Sequence, residues 1–266
     1  MMNPETLLIP TMAEMSARGE HPEVLVWVGC AGSFDVRYQK VTRTLCRLLV
    51  MAGIRAAILG IEEKCTGDPA KRAGNEYLFQ LMALANIRTL NHYGISVIVT
   101  ACPHCYNTLK NEYAGLGGHY EVYHHTEYIQ KLIHEGKLKI PPGYRIDQKI
   151  VYHDSCYLGR GNNIYEAPRD LLKTIQPKLK EMPRSRSNSF CCGAGGAQVF
   201  KESGKDAGEI NLERLKEACG TGAQTIVTAC PFCMMMFRDG LKSMHREEIQ
   251  VFDIIELIEK PAGGAV

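Results

Sequence analysis

Short continuous apolar runs recur along this chain, and several of them end at a glycine or lead into a cysteine. A run of about four to eight such residues is typical of a strand that is buried on both faces of a parallel sheet. The pattern predicts strands at residues 24–28, 56–60, 97–100, 120–123, 149–156, 225–228 and 249–252.

Apolar residues at helical spacing fill segments that lie between these strands. The longest such pattern covers residues 75–93, and another covers residues 41–52 and stops at Gly53, a residue suited to a helix C-terminus. Helices are also predicted at residues 126–134 and 253–259. Strands that alternate with helices predict an α/β architecture with a mostly parallel sheet.

The second part of the chain repeats the first. Residues 225–233 match residues 96–105 almost position for position, and residues 190–193 align with residues 64–67. Residues 136–147 contain two prolines and two glycines and separate the copies. We therefore predict two tandem pseudo-repeated α/β halves, each a mostly parallel sheet flanked by helices. The predicted parts are an N-terminal extension (1–22), a first half (23–143) and a second half (144–266).

Composition and charge narrow the class of protein. The apolar content of 45% and the charged content of 23% are ordinary for a globular protein. A net charge of +2 gives no sign of the strongly basic surface that binds nucleic acid. No run reaches the ~18 apolar residues that span a bilayer, and residues 1–20 lack the apolar core of a signal peptide. We expect a cytoplasmic protein without direct membrane insertion, or one attached to a membrane through its partners.

Eleven cysteines are far more than such a chain ordinarily carries. Because the cytosol keeps thiols reduced, clustered cysteines with Cys-x-x-Cys spacing indicate metal or iron–sulfur ligands rather than disulfides. Nine of them fall into two sets, whereas Cys46 and Cys219 stand apart and are expected to be small buried apolar residues.

The cysteines of both sets follow strands or precede helices, so they gather at the carboxyl edge of each predicted sheet, where open α/β sheets bind ligands. Cys102 and Cys230 each precede a proline, which is preferred at the first position of a helix. The N-terminus of that helix would stabilise a thiolate.

The second set has five cysteines, one more than a cubane [4Fe–4S] cluster needs. Either one thiolate bridges irons in an unusual cluster, or one cysteine is free. The members of this set are Cys156, Cys191, Cys192, Cys230 and Cys233.

The first set has four cysteines, and Lys64 stands where the first cysteine of an adjacent pair is expected. Four thiolates could hold a cubane cluster or a tetrahedral zinc ion. The difference between the sets predicts one working centre in the second half and one supporting centre in the first. The members of the first set are Cys30, Cys65, Cys102 and Cys105.

The doubled pattern of Cys, Cys-Cys-Gly and Cys-x-x-Cys, over residues 24 to about 259, resembles the cysteine-rich CCG-domain family. That family includes the B and D subunits of heterodisulfide reductase and the iron–sulfur subunits of glycolate, lactate and anaerobic glycerol-3-phosphate oxidation systems. The resemblance implies an iron–sulfur oxidoreductase subunit that is active within a complex. It also implies a noncubane [4Fe–4S] cluster on the five cysteines of the second half, and a [4Fe–4S] cluster or zinc in the first.

Many family members carry a ferredoxin-type domain, whose cysteine run is absent from this sequence. The resemblance therefore implies a separate ferredoxin-like iron–sulfur subunit and a flavoprotein as partners. The leading hypothesis is reduction of a disulfide-type acceptor at the cluster. One alternative is an electron relay between a flavin dehydrogenase and a quinone-linked partner, and another is a zinc-stabilised assembly scaffold. The catalytic group would be the cluster itself, with His153 as a weak candidate for a proton donor.

Overall fold

The structure is a computed structural model that describes residues 9–176, 179–200 and 207–262. The chain divides into two compact units, Met1–Lys139 and Ile140–Val266. Residues 1–8 of the predicted N-terminal extension lie outside the described residues. Each unit is built around its own parallel sheet, and each is described by itself below.

The first unit contains a four-stranded sheet in which all pairs are parallel, in the order β2-β1-β3-β4. Its central strands are buried along almost their whole length, as their continuous apolar sequences predict. The strands are β1 (Val24–Trp27), β2 (Ala56–Ala57), β3 (Val97–Thr100) and β4 (Glu121–His124).

Helices connect these strands and carry two of the four predicted metal ligands. Thr11 and Glu14 form a capping box at the first helix. Short 3₁₀ turns lie at Gly60–Glu62 and Tyr113–Leu116, and a π-helical turn lies at Thr108–Glu112. The helices are α1 (Met12–Ala17), α2 (Gly29–Phe34), α3 (Val36–Met51), α4 (Asp68–Arg72), α5 (Glu76–His92), α6 (Pro103–Asn107) and α7 (His125–His134).

The second unit contains a three-stranded parallel sheet in the order β5-β6-β7. An isolated parallel bridge between Val151 and Lys180 extends its edge beside β5, the place that β2 occupies in the first unit. The strands are β5 (Ile150–Tyr152), β6 (Thr225–Thr228) and β7 (Gln250–Asp253). The helices are α8 (Gly159–Asn162), α9 (Glu166–Ile175), α10 (Ala207–Gly220), α11 (Pro231–Ser243) and α12 (Ile254–Ala262).

The predicted fold class is confirmed, since both sheets are parallel and flanked by helices in two repeated units. The predicted strand at 149–156 is too long, because it ends at Tyr152, and the carboxylate of Asp154 pairs with a buried arginine. The predicted strand at 56–60 likewise ends at Ala57, before a 3₁₀ turn begins at Gly60. Six of the observed helices were not predicted, namely α1, α2, α4, α8, α9 and α10. Within the described residues, no helix is long and apolar enough to cross a bilayer.

Candidate metal centres

The cysteines lie where the strands end, as their positions in the sequence predict. Cys30 is in α2 directly after β1, and Cys102 is the N-cap of α6 directly after β3. In the second unit Cys156 follows β5, and Cys230 is the N-cap of α11 after β6. Proline occupies the first position of both α6 and α11, so the predicted Cys-Pro helix starts are confirmed.

A glycine with a positive φ shapes the cysteine loop of both units. Gly67 (φ 88°) donates its backbone N–H to the sulfur of Cys65 over 3.5 Å. Gly193 (φ 92°) donates its backbone N–H to the sulfur of Cys191 over 3.2 Å. Glycine adopts this left-handed conformation without the steric cost that a Cβ atom brings. The shared turn makes Cys65 the counterpart of Cys191.

The first unit therefore lacks the second cysteine of the adjacent pair. Thr66 stands at the position of Cys192, and Lys64 corresponds to Phe190. The prediction that Lys64 replaces the first cysteine of the pair is wrong. The reason is that the N–H···S turn at the glycine sets the register between the two loops, and it selects the sulfur two residues earlier.

Strand register relates a second pair of positions in the two units. Trp27 lies opposite Thr100 in the first sheet. The last pair between β5 and β6 is Tyr152 with Val227, and His153 is the next residue, with its N–H bonded to the carbonyl of Val227. His153 is thus the counterpart of Trp27, and each stands three residues before the first cysteine of its unit.

The structure brings the four cysteines of the first unit together. Burial, followed by the neighbouring Cys102 and Cys65, raises the pKa of Cys30 to about 12. A hydrogen bond with Cys102, followed by burial, raises the pKa of Cys105. A Cβ atom at Gly29 would lie 3.3 Å from the sulfur of Cys105, which is a tight contact, and the positive φ of this residue (71°) also favours glycine.

The structure also brings the five cysteines of the second unit together. Thiol hydrogen bonds join Cys191 to both Cys156 and Cys192, and join Cys233 to both Cys192 and Cys230. Donation from Cys156 and Cys192 lowers the pKa of Cys191, and the Cys191 contact raises the pKa of Cys156. The five thiols thus form one continuous cluster rather than a tetrahedral set with a distant fifth member.

His153 belongs to the same cluster. One of its ring nitrogens and the sulfurs of Cys192 and Cys233 all lie within 4.8 Å of one another. Burial, followed by the charge of Arg214, lowers the pKa of His153 to about 3, so the imidazole is neutral at physiological pH. Its role as a proton donor stays a prediction, and in the neutral form it has one N–H to offer.

Two buried arginines hold the second-unit loop, and the first is Arg169. Its guanidinium donates to both oxygens of Asp154 at 2.6 and 2.9 Å and to both oxygens of Glu181 at 2.6 and 2.9 Å. Asp154 also accepts the backbone N–H of Arg186, and its carbonyl accepts the hydroxyl of Ser189. These bonds fix the chain that enters the cysteine loop to the end of β5.

The second buried arginine is Arg214, which lies in α10. Its Nε donates to Nδ1 of His153 over 3.1 Å. One terminal nitrogen donates to the carbonyl of Arg184 at 2.8 Å and to Glu217 at 2.6 Å, and the other donates to the hydroxyl of Ser189 at 3.4 Å. All three guanidinium nitrogens are therefore engaged, which leaves the group one orientation.

An amide, not an arginine, holds the first-unit loop. Asn86 accepts the backbone N–H of Lys64 over 3.1 Å and donates to the carbonyl of Cys65 over 3.0 Å. It also donates to the hydroxyl of Tyr113, which in turn donates to the carbonyl of Thr66. Asn86 itself is fully buried, and a buried amide needs such partners for its donors and its acceptor.

A carboxylate orients the first-unit helix that carries Cys30. Glu63 accepts the backbone N–H groups of Val28 and Gly29 over 3.0 and 2.6 Å, at the start of α2. Burial raises the pKa of Glu63 to about 7, although these two N–H groups oppose the change. The side chain is thus a helix cap placed beside the cysteine set.

Sequence reasoning missed these supporting residues. No motif distinguishes Asn86 in α5, or Arg169 and Arg214 in the second unit, from exposed polar residues of ordinary helices. One signal was available: Asp154 stands in the apolar segment that was predicted as a buried strand, and a buried carboxylate needs a counter-ion.

The donor set in the second unit fits an iron–sulfur cluster. Among the described residues, the hydroxyl oxygens of Ser155 and Thr228 are buried without a hydrogen-bond partner. Ser155 directly precedes Cys156, and Thr228 stands two residues before Cys230. Cluster sulfides and thiolates accept hydrogen bonds, so five thiols beside two such donors match the needs of that group.

The first unit carries a similar unsatisfied donor. Among the described residues of that unit, the indole Nε1 of Trp27 is buried and has no hydrogen-bond partner. Four thiols and one N–H donor fit either a cubane cluster or a zinc–thiolate site.

Two parallel sheets that each gather a set of thiols at their strand ends have the arrangement of a metal-binding α/β protein. The chain belongs to the CCG cysteine-rich domain family, whose model matches residues 24–110 and 150–238. The two matches coincide with the two repeated units, so the resemblance predicted from the cysteine pattern is confirmed.

Proteins named as oxidoreductases are among the relatives of this chain. It is 44% identical over 91% of its length to the EtfAB:quinone oxidoreductase of Syntrophomonas wolfei, and covers 35% of that protein. It is 42% identical over 97% of its length to the probable iron-sulfur-binding oxidoreductase FadF of Bacillus subtilis, covering 36% of it. It is 32% identical over 91% of its length to the D subunit of the heterodisulfide reductase of Methanosarcina barkeri, covering 59% of it.

The chain thus spans little more than a third of the first two relatives. Among solved structures, a hypothetical protein from Helicobacter pylori aligns with a TM-score of 0.60 at 13% identity. The alignment covers 91% of this chain and 49% of that one. At this identity the likeness concerns the fold alone.

Proposed function

We propose that this chain is an iron–sulfur oxidoreductase subunit that relays electrons between a flavoprotein and a quinone-linked partner. The observation that carries the proposal is the continuous cluster of five thiols in the second unit. The proposed ligands of a noncubane [4Fe–4S] cluster are Cys156, Cys191, Cys192, Cys230 and Cys233. When bound, such a cluster supplies one-electron transfer.

The relay is favoured over disulfide reduction by the comparison with named proteins. Identity is 44% to an EtfAB:quinone oxidoreductase and 32% to the D subunit of a heterodisulfide reductase, over the same share of this chain. The second relative supports disulfide reduction at the cluster as the other candidate. The zinc scaffold is disfavoured because tetrahedral zinc uses four thiolates and the second unit clusters five.

The first unit would hold a supporting centre, either a [4Fe–4S] cluster or zinc. Its four thiols, Cys30, Cys65, Cys102 and Cys105, suit both groups. The proposed partners are a ferredoxin-like iron–sulfur module and a flavoprotein. A cytoplasmic location, with membrane association through partners, is compatible with a 40% identical relative from Chromohalobacter salexigens that is named a probable membrane-anchored ferredoxin.

Metal and sulfide analysis of anaerobically purified protein tests the cluster. About eight irons with matching sulfide indicate two [4Fe–4S] centres, and about four irons with one zinc indicate a single redox site. Zinc without iron would overturn the redox proposal and favour the scaffold. Cys65→Ser should remove metal from the first unit alone, and loss from both would refute independent sites.

Electron paramagnetic resonance (EPR) separates the two redox candidates. Oxidation in the presence of a thiol should leave the cluster signal unchanged if the cluster only relays electrons. A signal that appears only with the thiol would favour disulfide chemistry. Rapid reduction of the cluster by a reduced electron-transfer flavoprotein supports the relay, and no reduction by any flavoprotein would contradict it.

A further inference from the structure

The His153 imidazole is held in a defined tautomer by its partner. A guanidinium carries only N–H donors, so Nδ1 of His153 must accept the hydrogen bond from Arg214 Nε at 3.1 Å. A neutral imidazole that accepts at Nδ1 carries its proton on Nε2. Since Nδ1 is occupied, Nε2 is the nitrogen that remains for the sulfurs of Cys192 and Cys233.

The position of the ring is also fixed. The backbone N–H of His153 bonds to Val227 in the sheet, and the ring packs edge-on against Phe237 with centroids 4.7 Å apart. Both His153 and Arg214 are almost completely excluded from solvent, with exposed fractions of 1% and 0%. Glu217 balances the charge of the arginine at 2.6 Å. The imidazole of His153 is therefore held in place by three contacts, with Arg214, Val227 and Phe237.

In the first unit, other residues stand at the positions of both His153 and Cys192. Trp27 stands at the position of His153, and Thr66 stands at the position of Cys192. The fifth thiol is thus present in the unit that has the histidine and absent from the unit that has the tryptophan. This paired difference links His153 to Cys192 rather than to the four cysteines that both units share.

We propose that Arg214 holds His153 in its Nε2–H form, and that this N–H donates to the sulfur of Cys192 and raises the reduction potential of the second-unit cluster. The inference rests on the proposed cluster. An N–H donor stabilises the more negative, reduced state of a cluster, so hydrogen bonds to ligand sulfur move the potential upward. His153 is then a positioning residue for the fifth thiolate and not a metal ligand.

Two substitutions at one position separate donation from packing. In His153→Gln the side-chain NH₂ can still donate to Cys192, and the amide oxygen can still accept from Arg214. In His153→Met the volume is similar but the donor is lost. The measurement is the midpoint potential from EPR-monitored titration, beside iron and sulfide content. We expect a more negative potential for His153→Met and a nearly wild-type potential for His153→Gln.

The outcomes are distinguishable from failure of the proposed function. Wild-type protein without iron refutes the cluster itself. Wild-type protein with iron, together with an unchanged potential in an iron-loaded His153→Met, refutes the hydrogen bond alone. If His153→Met lost its iron, His153→Gln would decide: iron retained with a wild-type potential supports donation, and iron lost there as well overturns it.

Electron–nuclear double resonance (ENDOR) on the wild-type cluster gives a measurement that a change in packing alone does not affect. Donation from Nε2 predicts a proton coupling that disappears in D₂O and is absent from His153→Met. A strong coupling to a directly bonded nitrogen would show His153 as a ligand and overturn the proposal. Trp27→Phe is the matched control, since it removes the ring N–H at the same position of the first unit. It should leave the second-unit potential unchanged.

Discussion

The two units use the same strands and glycine turns to present thiols, but they support those thiols with different chemistry. In the first unit the largest fully buried side chains are the aromatic rings of Trp27, Phe79, Tyr106 and Tyr113. Among the described residues of the second unit, the largest fully buried side chains are those of two arginines, Arg169 and Arg214, and of Tyr152 and Phe237.

The comparison shows that the unit with the fifth thiol also contains two fully buried arginines, which hold its cysteine loop in place. Buried arginines are costly to desolvate and are retained where their several donors are all used. Arg169 fixes Asp154 at the end of β5, and Arg214 fixes His153 and the start of the cysteine loop. The described residues of the first unit, with its four thiols, include no fully buried arginine; its support comes from the amide of Asn86, the cap of Glu63 and the carboxylate of Asp68, which bonds His104 and Arg72.

The largest expected effect comes from making the second unit resemble the first. Cys192→Thr leaves four thiols in the arrangement of the first unit. We expect the second unit to lose the EPR signature of its noncubane cluster, because that cluster needs the fifth thiolate. Cys219→Ser, outside both cysteine sets, is the control and should match wild type in iron content. A wild-type signature in Cys192→Thr would place the fifth thiol outside the cluster.

A second prediction concerns the buried ion pair. Arg169→Met leaves Asp154, whose side chain is 3% exposed, without its counter-charge. We expect the free energy of unfolding of the second unit to fall by about 3–5 kcal/mol, measured by chemical denaturation. In the control Arg246→Met, an exposed pair with Glu248 is lost, and we expect little change in the free energy of unfolding. Equal effects of the two variants would contradict structural support by Arg169.

The strands, helix starts and cysteine sets that the two units share could be predicted from sequence, because they depend on local patterns. Apolar runs located β3 and β6 at their observed bounds, and Cys-Pro pairs located the starts of α6 and α11. The cysteine sets followed from spacing alone, and the structure gathers each set at its strand ends.

The rest depended on contacts between distant residues. Helix α2 has the sequence Gly-Cys-Ala-Gly-Ser-Phe, which carries no apolar periodicity, and Glu63 caps it from 34 residues away. The contact between Arg214 and His153 joins residues 61 positions apart. The alignment of residues 190–193 with residues 64–67 already pairs Thr66 with Cys192, and the N–H···S turn at the glycine of each unit shows that this register, and not the one that places Lys64 opposite a cysteine, is correct.

The amide support of the first unit gives a smaller effect. Asn86→Ala leaves the N–H of Lys64 and the carbonyl of Cys65 without this partner. We expect the unfolding free energy of the first unit to fall by about 2–3 kcal/mol, and its metal content to fall while that of the second unit is kept. Asn91→Ala, also in α5 but exposed, is the control. Loss of metal from both units would show that they are not independent.

The smallest expected effect concerns Glu217, the counter-charge of Arg214. Its contribution to the stability of the fold should depend on pH. Burial alone would raise the pKa of Glu217, but the N–H of Arg184 and the guanidinium of Arg214 outweigh it and lower this pKa below its ordinary 4.5. The ionised carboxylate therefore stabilises the fold above about pH 4.5, and this contribution is lost as the pH falls through the lowered value. We expect Glu217→Gln to cost about 1–3 kcal/mol at pH 7 and progressively less in acid.

The control for this variant lies one helical turn away. Glu213 is exposed and, within the described part of the chain, pairs only with Arg184, so Glu213→Gln should change stability little at any pH. A Glu217→Gln cost that does not shrink in acid would mean that the side chain acts by packing and not by charge. A cost that shrinks, accompanied by a changed cluster potential at neutral pH, would connect the carboxylate through Arg214 to His153. The charged support and the fifth thiol of the second unit would then act as one system.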